Sequence, residues 1–281
     1  MIAQFPPSSP IKDKYLITIN NLLSTNKLSF NAHAMLKDLI NEREDIFFQS
    51  IMNPTDETGN SYTIDHLPEM LEGKLNRELE ELFISCSYEE AKAASLSDRS
   101  TNNLTHKSLT YGEISFSSFL SIMNTLNDNL GGGIKGGTFY DLGSGSGRAI
   151  YTTRFSHDFD RCVGLELMGN LHSLAVSVGE KYDVSRYEKR LIFRDCECQF
   201  YNADILEYDW SDGDVVFAHS TCFGKTLLEA IFERSKMLKS GSILIMFSEL
   251  PKGMDEFFEL FLYSKEKMTW GTSEVFFLRR R

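Results

Sequence analysis

One stretch decides the fold of this chain: Thr138-Phe139-Tyr140-Asp141-Leu142-Gly143-Ser144-Gly145-Ser146-Gly147. Its first residues favour a β-strand, an acidic residue stands near the strand's end, and glycines follow at every second position. A helical pattern begins at Arg148. Glycine permits positive φ angles, so the backbone can turn sharply and a ligand can approach bare main chain at a helix N-terminus. This order of strand, glycine loop and helix is typical of nucleotide-like cofactor sites in doubly wound α/β sheets.

The residues around the glycine loop favour S-adenosylmethionine over other nucleotide-like cofactors. A dinucleotide fingerprint needs Gly or Ala where this chain has Arg148, and Asp141 at the strand tip would repel a pyrophosphate. A P-loop is excluded because no Gly-Lys-Ser/Thr sequence closes the run. S-adenosylmethionine has no phosphate and carries a sulfonium and an ammonium against one carboxylate, so an acidic rim suits it. An ordinary glycine turn is the alternative that the loop alone leaves open.

Two further acidic residues stand where the same fold would place them. Cys162-Val163-Gly164-Leu165 is interpreted as the next strand, and it ends at Glu166. A carboxylate there accepts hydrogen bonds from both ribose hydroxyls. The stretch Phe200–Ile205 gives a third predicted strand that ends at Asp204, which would accept from the adenine amine while Ile205 packs on the ring. Each carboxylate alone fits a solvated loop, but three at consecutive strand ends after a glycine loop indicate a cofactor site.

Composition is typical of a folded intracellular protein. The 281 residues are 42% hydrophobic and include 21 Phe, enough for a sizeable core. The first ten residues lack a signal-peptide pattern, and no window of about 18 apolar residues predicts a membrane helix. The cysteines show no Cys-x-x-Cys pair and no second ligand pair at zinc-finger spacing, so we expect a reducing compartment and no metal. They are Cys86, Cys162, Cys196, Cys198 and Cys222.

The pattern of apolar residues predicts two parts, an N-terminal helical region with a linker over 1–108 and a cofactor-binding catalytic domain over 109–281. Apolar residues recur at helical spacing before Ser95, and Leu96–Thr110 is a polar linker. Helices and strands then alternate, which predicts a mostly parallel sheet covered on both faces. The predicted elements are a helix over Ser115–Leu130, a strand over Val215–Ala218, a helix over Gly224–Leu238, a strand over Ser242–Phe247, and a closing antiparallel hairpin of Phe261–Met268 and Glu274–Leu278.

Three motifs make the chain similar to a known family. They are Tyr111-Gly112-Glu113-Ile114-Ser115-Phe116 ahead of the glycine loop, Val215-Val216-Phe217-Ala218 followed by Cys222-Phe223-Gly224, and the terminal Trp270-x-x-x-x-Val275-Phe276-Phe277-Leu278. Over about Tyr111–Leu278 the chain resembles the disruptor-of-telomeric-silencing group of histone-lysine methyltransferases, which lack a SET domain. The resemblance implies an α/β class I methyltransferase, with a Rossmann-like, mostly parallel sheet, an antiparallel C-terminal hairpin and an N-terminal helical region. It also implies methyl transfer from S-adenosylmethionine to a lysine of a basic protein such as a core histone.

The resemblance further implies a set of cofactor contacts. They come from the loop before the helix at Ser115, from the glycine loop, and from the ends of the second and third strands. The implied residues are Tyr111, Gly112, Glu113, Ile114, Phe139, Tyr140, Asp141, Leu142, Gly143, Ser144, Gly145, Ser146, Gly147, Arg148, Glu166, Asp204 and Ile205.

Six residues are catalytic candidates, each with a plainer alternative. Tyr111, Phe223, Trp270 and Phe276 would line an apolar lysine channel, or would pack in the core. Glu113 would hold its loop over the cofactor, or cap the following helix. His219 would act as a general base, or be a hydrogen-bonded core histidine.

Two departures from the family pattern bear on the substrate. His219-Ser220 stands where the family usually has an asparagine pair, and Phe276 or Phe277 stands where it offers a tyrosine. A Pro-Pro-aromatic motif for planar exocyclic nitrogens is absent at His219–Cys222, which disfavours methylation of adenine or glutamine. A non-histone protein-lysine methyltransferase and a cofactor-binding module without turnover stay open as alternatives.

Charge bears on the partner. The formal net charge is −11, which disfavours nucleic acid phosphates and favours a basic protein substrate, such as a histone or nucleosome. The basic run Arg279-Arg280-Arg281 is short, so we expect little direct nucleic-acid binding and no membrane association. The expected location is intracellular, in the nucleus if the substrate is a histone and otherwise in the cytoplasm.

Overall fold

The computed structural model describes residues 76–77, 79–101, 111–189, 196–247, 250, 252–268 and 271–281, with the side chains of 182–189 excepted. The chain divides into two compact units, Met1–Leu75 and Asn76–Arg281, and the described residues all belong to the second. The helices predicted before Leu75 therefore lie outside the described residues. The predicted domain boundary between residues 108 and 109 stays a prediction.

Seven strands form one sheet in the order β3-β2-β1-β4-β5-β7-β6. Strands β1 to β5 run parallel, and β7 pairs antiparallel with both β5 and β6. The strand order reverses between β1 and β4, the point where ligands bind in open α/β sheets. The predicted mostly parallel sheet with an antiparallel C-terminal hairpin is confirmed. The strands are β1 (Thr138–Leu142), β2 (Arg161–Glu166), β3 (Glu197–Asn202), β4 (Val215–Ala218), β5 (Ile243–Phe247), β6 (Phe258–Met268) and β7 (Gly271–Arg280).

Helices cover the sheet and connect its parallel strands. They are α1 (Tyr88–Thr101), α2 (Phe116–Asn129), α3 (Arg148–Ser156), α4 (Gly169–Lys189) and α5 (Lys225–Ser235). Among the described residues, no helix combines the length and apolar character needed to cross a membrane.

The predicted linker over Leu96–Thr110 is wrong in its first part, because α1 continues to Thr101. Tertiary contacts stabilise these polar residues as helix. The Asp98 carboxylate accepts from the Asn170 backbone N–H at 2.7 Å, and the Ser95 hydroxyl lies 3.5 Å from the Met168 sulfur. Both partners lie at the start of α4, so the helix is fastened beside the end of β2.

Helix α2 forms as its sequence predicts. The Ser115 hydroxyl caps the N-terminus by accepting from the Ser118 N–H at 3.1 Å. Its apolar residues recur at helical spacing and are buried against the sheet. At the other end Gly133, with φ 71°, adopts the left-handed conformation that favours glycine. The buried residues are Phe116, Phe119, Leu120, Ile122, Met123 and Leu126.

Two hydrophobic clusters, one on each face of the sheet, form the core. Successive residues of a strand point to opposite faces, so Phe139 belongs to one cluster and Tyr140 to the other. On the α2 side, the Phe119 ring meets the rings of Phe139 and Phe217 edge-on, with centroids 6.1 and 4.9 Å apart. This contact joins α2 to the two strands that flank the switch point.

We expect Phe119→Ala to lower the free energy of unfolding by about 3–5 kcal/mol, because it removes a fully buried ring and leaves a cavity. Urea unfolding followed by circular dichroism measures the change. Met237→Ala is the matched control, since that side chain is 64% exposed, and should stay within about 0.5 kcal/mol of the parent. Equal stability of the two variants would contradict the packing described here.

Candidate active site

A cavity of about 390 Å³ opens at the carboxyl ends of the central parallel strands. This is the edge at which the sheet order reverses, between β1 and β4. Its lining residues are Tyr111, Gly112, Glu113, Ile114, Asp141, Gly143, Ser144, Gly145, Ser146, Arg148, Ala149, Glu166, Leu167, Met168, Asp204, Ile205, Leu206, Phe217, His219, Thr221, Cys222, Phe223, Thr226, Leu227 and Ala230.

The glycine loop between β1 and α3 forms one wall of the cavity. The backbone N–H groups of Gly143 and Ser144 both donate to the Leu165 carbonyl, at 2.9 and 3.0 Å, which holds the loop against the end of β2. Gly145 has φ 53°, and a Cβ there would lie 3.0 Å from the Tyr111 ring. A side chain at this position would therefore meet the neighbouring loop, and bare main chain faces the cavity.

Glu113 holds the glycine loop and the preceding loop together. Its carboxylate accepts from the Tyr111 hydroxyl and, at 3.0 Å, from the Ser146 hydroxyl. Its other oxygen lies 2.8 Å from the Arg148 Nε. Helix α2 is capped by Ser115 instead, so the capping alternative for Glu113 does not apply.

Arg148 in turn connects this cluster to the segment before α1. Its guanidinium lies 4.8 Å from the ring centroid of Phe83 and 4.6 Å from that of Phe116. Both rings are buried, so the cation has two apolar faces and one carboxylate around it. The residue that breaks the dinucleotide fingerprint is thus a structural bridge at the helix start.

Two buried carboxylates face the cavity from adjacent strands. Asp141 is 3% exposed and Glu166 5% exposed. Burial, and then the charge of Glu166, raise the pKa of Asp141 to about 8, and burial also raises the pKa of Glu166. Glu166 accepts from the Gly145 N–H at 2.9 Å and the Met168 N–H at 2.8 Å. A cationic ligand group near Asp141 would relieve the cost of the charged carboxylate.

Asp204 and Ile205 line the cavity from beyond β3. That strand ends at Asn202, so the predicted end at Asp204 is too late by two residues. The Asp204 Oδ1 atom accepts from the Leu206 N–H at 2.8 Å and starts a turn. The turn is fixed from behind because the Trp210 indole donates to the Ile205 carbonyl at 2.8 Å.

The opposite wall, after β4, is largely apolar. Phe217, Phe223 and Leu227 line it together with His219. Burial lowers the pKa of His219 to about 4, although a hydrogen bond to the Gly112 backbone opposes this, so the imidazole is neutral near pH 7. Its ring also packs edge-on against Phe247, with centroids 5.0 Å apart. His219 therefore has the contacts of a packed histidine while it borders the cavity.

Four of the predicted cofactor residues lie outside the cavity, and packing explains each position. The side chains of Phe139, Tyr140 and Leu142 belong to the two core clusters, because helices cover both faces of β1. Gly147 caps α3 with φ 87°, and a Cβ there would lie 2.9 Å from the Phe200 ring. Its role is to let the helix start close to β3.

The predicted channel residues are divided in the same way. Tyr111 and Phe223 line the cavity, whereas Phe276 is absent from its lining and packs on the Tyr263 ring at 5.4 Å. Phe276 belongs to β7, which lies beyond β5 from the switch point. Phe277 is fully buried in the core, and Trp270 lies outside the described residues.

Several lining residues were not predicted. Leu167 and Met168 directly follow Glu166, so the expectation that ligands bind at the carboxyl ends of the parallel strands could have identified them. Thr226, Leu227 and Ala230 come from the first turns of α5, where no motif marks them and only the packing of the helix brings them to the cavity.

The chemistry of this cavity fits S-adenosylmethionine. The carboxylates at the ends of β1 and β2 are acceptors for an ammonium and for hydroxyls, and Ile205 offers an apolar surface for a flat ring. Phosphate groups would meet two buried carboxylates, which argues against a dinucleotide.

Solved structures that resemble part of this chain include methyltransferases of several kinds. The magnesium protoporphyrin IX methyltransferase of Synechocystis PCC 6803, solved with bound SAM, is 13% identical, and the alignment covers 67% of this chain and 97% of that one with a TM-score of 0.46. TrmN from Thermus thermophilus is 15% identical over 59% of this chain and 52% of that one, with a TM-score of 0.44. Similarities at this level add nothing to the geometry already described.

Sequence comparison is more specific. A histone-lysine N-methyltransferase of Dictyostelium discoideum, described as specific for H3 lysine 79, is 31% identical over 116 residues, or 40% of this chain. Those residues span only 6% of that much longer relative. The model of the family described as histone methylation protein DOT1 matches residues 97–256, which is more than half of the chain and includes the whole glycine loop. On this match, the chain belongs to the DOT1 histone methylation family.

Proposed function

We propose that this chain is an S-adenosylmethionine-dependent protein-lysine methyltransferase whose substrate is a basic protein, in the first place a core histone. The observation that carries the proposal is the cavity in which buried Asp141 and Glu166 face a glycine loop of bare main chain. Membership of the DOT1 family supports the lysine of a histone as acceptor. The single-chain geometry supports the cofactor more directly than it supports the acceptor.

Each part of the cofactor would have its own holder. When bound, S-adenosylmethionine supplies a methyl group on a positively charged sulfur. Asp141 would pair with the ammonium, and Glu166 would accept hydrogen bonds from the ribose hydroxyls. Asp204 would accept from the adenine amine, while Ile205 would pack on the adenine ring. Glu113 keeps Tyr111 and Ser146 in place, so the loops on both sides of the site are positioned before binding.

The acceptor side must provide a neutral amine. A lysine ammonium has an ordinary pKa near 10.4, and an apolar environment disfavours its charged form. Phe217, Phe223 and Leu227 form such an environment at the cavity wall. The remaining contribution to catalysis is positioning. A lone pair held about 3–3.5 Å from the methyl carbon avoids the entropic cost of bringing the two reactants together. A neutral His219 beside this wall adds no positive charge to repel the incoming lysine.

The charge of the chain is compatible with a histone partner. A net charge of −11 favours association with a basic protein. The relative from Dictyostelium discoideum, which is named for histone H3 lysine 79, supports the same substrate class, and a histone substrate would place the protein in the nucleus.

The C-terminal arginines are already used within the fold. Arg279 pairs with Glu259 at 3.3 Å and lies over the Phe261 ring. The Arg280 guanidinium donates to the carbonyls of Lys236 and Phe257. Arg279 is therefore paired with a carboxylate, and the donors of Arg280 are taken up by backbone carbonyls, so both side chains are held within the fold.

We expect the purified chain to transfer label from radiolabelled S-adenosylmethionine to lysine in histones, octamers or nucleosomes. Glu166→Gln should lower cofactor affinity by about 10- to 100-fold, because it removes a charged hydrogen-bond acceptor. Glu233→Gln is the matched control, since that side chain is 66% exposed and outside the cavity, and its labelling should equal that of the parent.

Each outcome of the labelling experiment has one meaning. Label on histone lysine supports the proposal in full. With a total cell lysate as a further substrate, label on lysines of other proteins supports lysine transfer to a non-histone substrate. Cofactor binding without transfer to any of these would leave a binding module and contradict the enzymatic proposal. Binding of a nicotinamide dinucleotide in place of S-adenosylmethionine would contradict the cofactor assignment as well.

Cofactor uptake near pH 7 should release a proton from Asp141. The raised pKa of about 8 keeps this carboxyl largely protonated, and a bound ammonium would lower the pKa and expel the proton. Because the pKa is raised, folding favours the protonated carboxyl. This contribution to stability is fully present below the ordinary pKa of 3.8 and is lost as pH rises through about 8. Calorimetry in buffers of different ionisation enthalpy measures the release.

Asp141→Asn is the control for proton release, because asparagine has nearly the same size but no titratable proton. Any proton released by the ligand itself is the same for both proteins. The parent should release more protons per cofactor than this variant at pH 7. Equal proton release by both proteins would contradict the role of Asp141.

Bare duplex DNA should bind weakly or not at all. The chain is acidic, Arg279 is paired with Glu259, and Arg280 donates to backbone carbonyls, which leaves few contacts for phosphates. Electrophoretic mobility shift at low and moderate salt measures this. A salt-sensitive shift at submicromolar protein would contradict the expectation.

A further inference from the structure

The cysteines on β2 and β3 form a cluster that the proposed reaction does not use. Cys162 and Cys198 are direct neighbours in the parallel register of the two strands. The Sγ atoms of Cys162 and Cys196 are 3.5 Å apart. Among the described residues, no group of three or more His, Cys, Asp and Glu side chains has the arrangement of a metal site.

The three thiols differ in exposure and in charge environment. Cys162 and Cys196 are buried, whereas Cys198 is half-buried on the edge strand β3. Hydrogen bonds from the Cys162 and Cys196 thiols, and after these the Arg154 guanidinium, hold the pKa of Cys198 well below its usual range. Burial raises the pKa of Cys162, which stays protonated beside it.

Strand geometry selects the partner with which Cys198 could form a disulfide. Neighbouring strands lie about 4.7–4.9 Å apart, within the range of about 4.4–6.8 Å that a disulfide requires between Cα atoms. Cys196 lies just before β3, two residues from Cys198 in the chain, and strand pairing holds Cys162, not Cys196, directly opposite Cys198. Cys162 is therefore the better placed partner.

We propose that Cys198 is a peroxide-reactive cysteine and that Cys162 resolves its oxidised form into a disulfide between β2 and β3. The Cys198 thiolate attacks one oxygen of hydrogen peroxide, the O–O bond breaks, and hydroxide leaves, giving a sulfenic acid. The Cys162 sulfur then attacks the Cys198 sulfur, the S–O bond breaks, and the departing hydroxide takes the thiol proton as water. The hydroxide released in the first step takes up a proton from the solvent, so the two sulfurs together lose two electrons and the peroxide is reduced to two waters.

The position of the cluster predicts what oxidation changes. β3 is an edge strand of the sheet, so a disulfide to β2 would fasten that edge. Cys162 is near the start of β2, and Glu166 is at its far end, beside the cavity. Oxidation should therefore raise stability and leave cofactor binding unchanged.

The test uses the full chain treated with hydrogen peroxide, with dithiothreitol-treated protein as reference. Digestion without reduction, followed by mass spectrometry, should find a Cys162–Cys198 cross-linked peptide. Short exposure in the presence of dimedone should label Cys198 on the parent protein, which does not depend on any variant folding. The oxidised protein should melt about 5 °C higher than the reduced one.

Variants separate the two roles. Cys198→Ser should abolish the disulfide, whereas Cys162→Ala should leave Cys198 labelled by dimedone for longer, because its resolving thiol is gone. Cys222, which is also half-buried but lies in the cavity, is the matched internal control and should stay uncross-linked. Preferential oxidation of Cys222, or a disulfide between Cys162 and Cys196 with Cys198 free, would overturn the proposal.

Discussion

The structure depends on two carboxylates that the fold removes from water. Asp141 and Glu166 stand near the ends of strands that pair in register, with Leu142 opposite Leu165, and both are buried. An unpaired buried charge is costly, so the raised pKa of each group records a site prepared for a cationic or hydroxyl-bearing ligand. The glycine loop, which hydrogen-bonds to the Leu165 carbonyl and to Glu166, has its shape because it must pass over this edge.

A second set of contacts joins segments that are distant in the chain to the same site. Glu113 binds Arg148, and Arg148 lies between the rings of Phe83 and Phe116. The segment before α1, the loop at Tyr111 and the start of α3 are therefore held by one guanidinium. This arrangement explains how an arginine replaces the small residue of a dinucleotide fingerprint without loss of the helix. Through these contacts, residues that precede the sheet in the chain also help to fix the position of the glycine loop.

The two ends of β2 have separate chemistry. Glu166 ends the strand at the cavity, while Cys162 near its start faces Cys198 on the edge strand and lies on the α2 side of the sheet. Parallel pairing produces both, since it aligns strand ends at one edge and side chains of neighbouring strands along each face. The thiol cluster and the cofactor cavity thus share strands but not contacts, and changes at one are separable from changes at the other.

The sequence alone determined the class of fold, the order of strands along the chain, and the carboxylates at or beside the strand ends, because glycine spacing, hydrophobic alternation and acidic residues after apolar runs are local patterns. It also determined α2, whose cap and apolar spacing are local. Tertiary structure decided which residues of the loop motif face the cavity: Phe139, Tyr140 and Leu142 point into the two cores because helices cover both faces of β1. It also decided that Leu227 reaches the site and that Phe276 does not, since the docking of α5 and the place of β7 in the sheet bring together residues far apart in the chain.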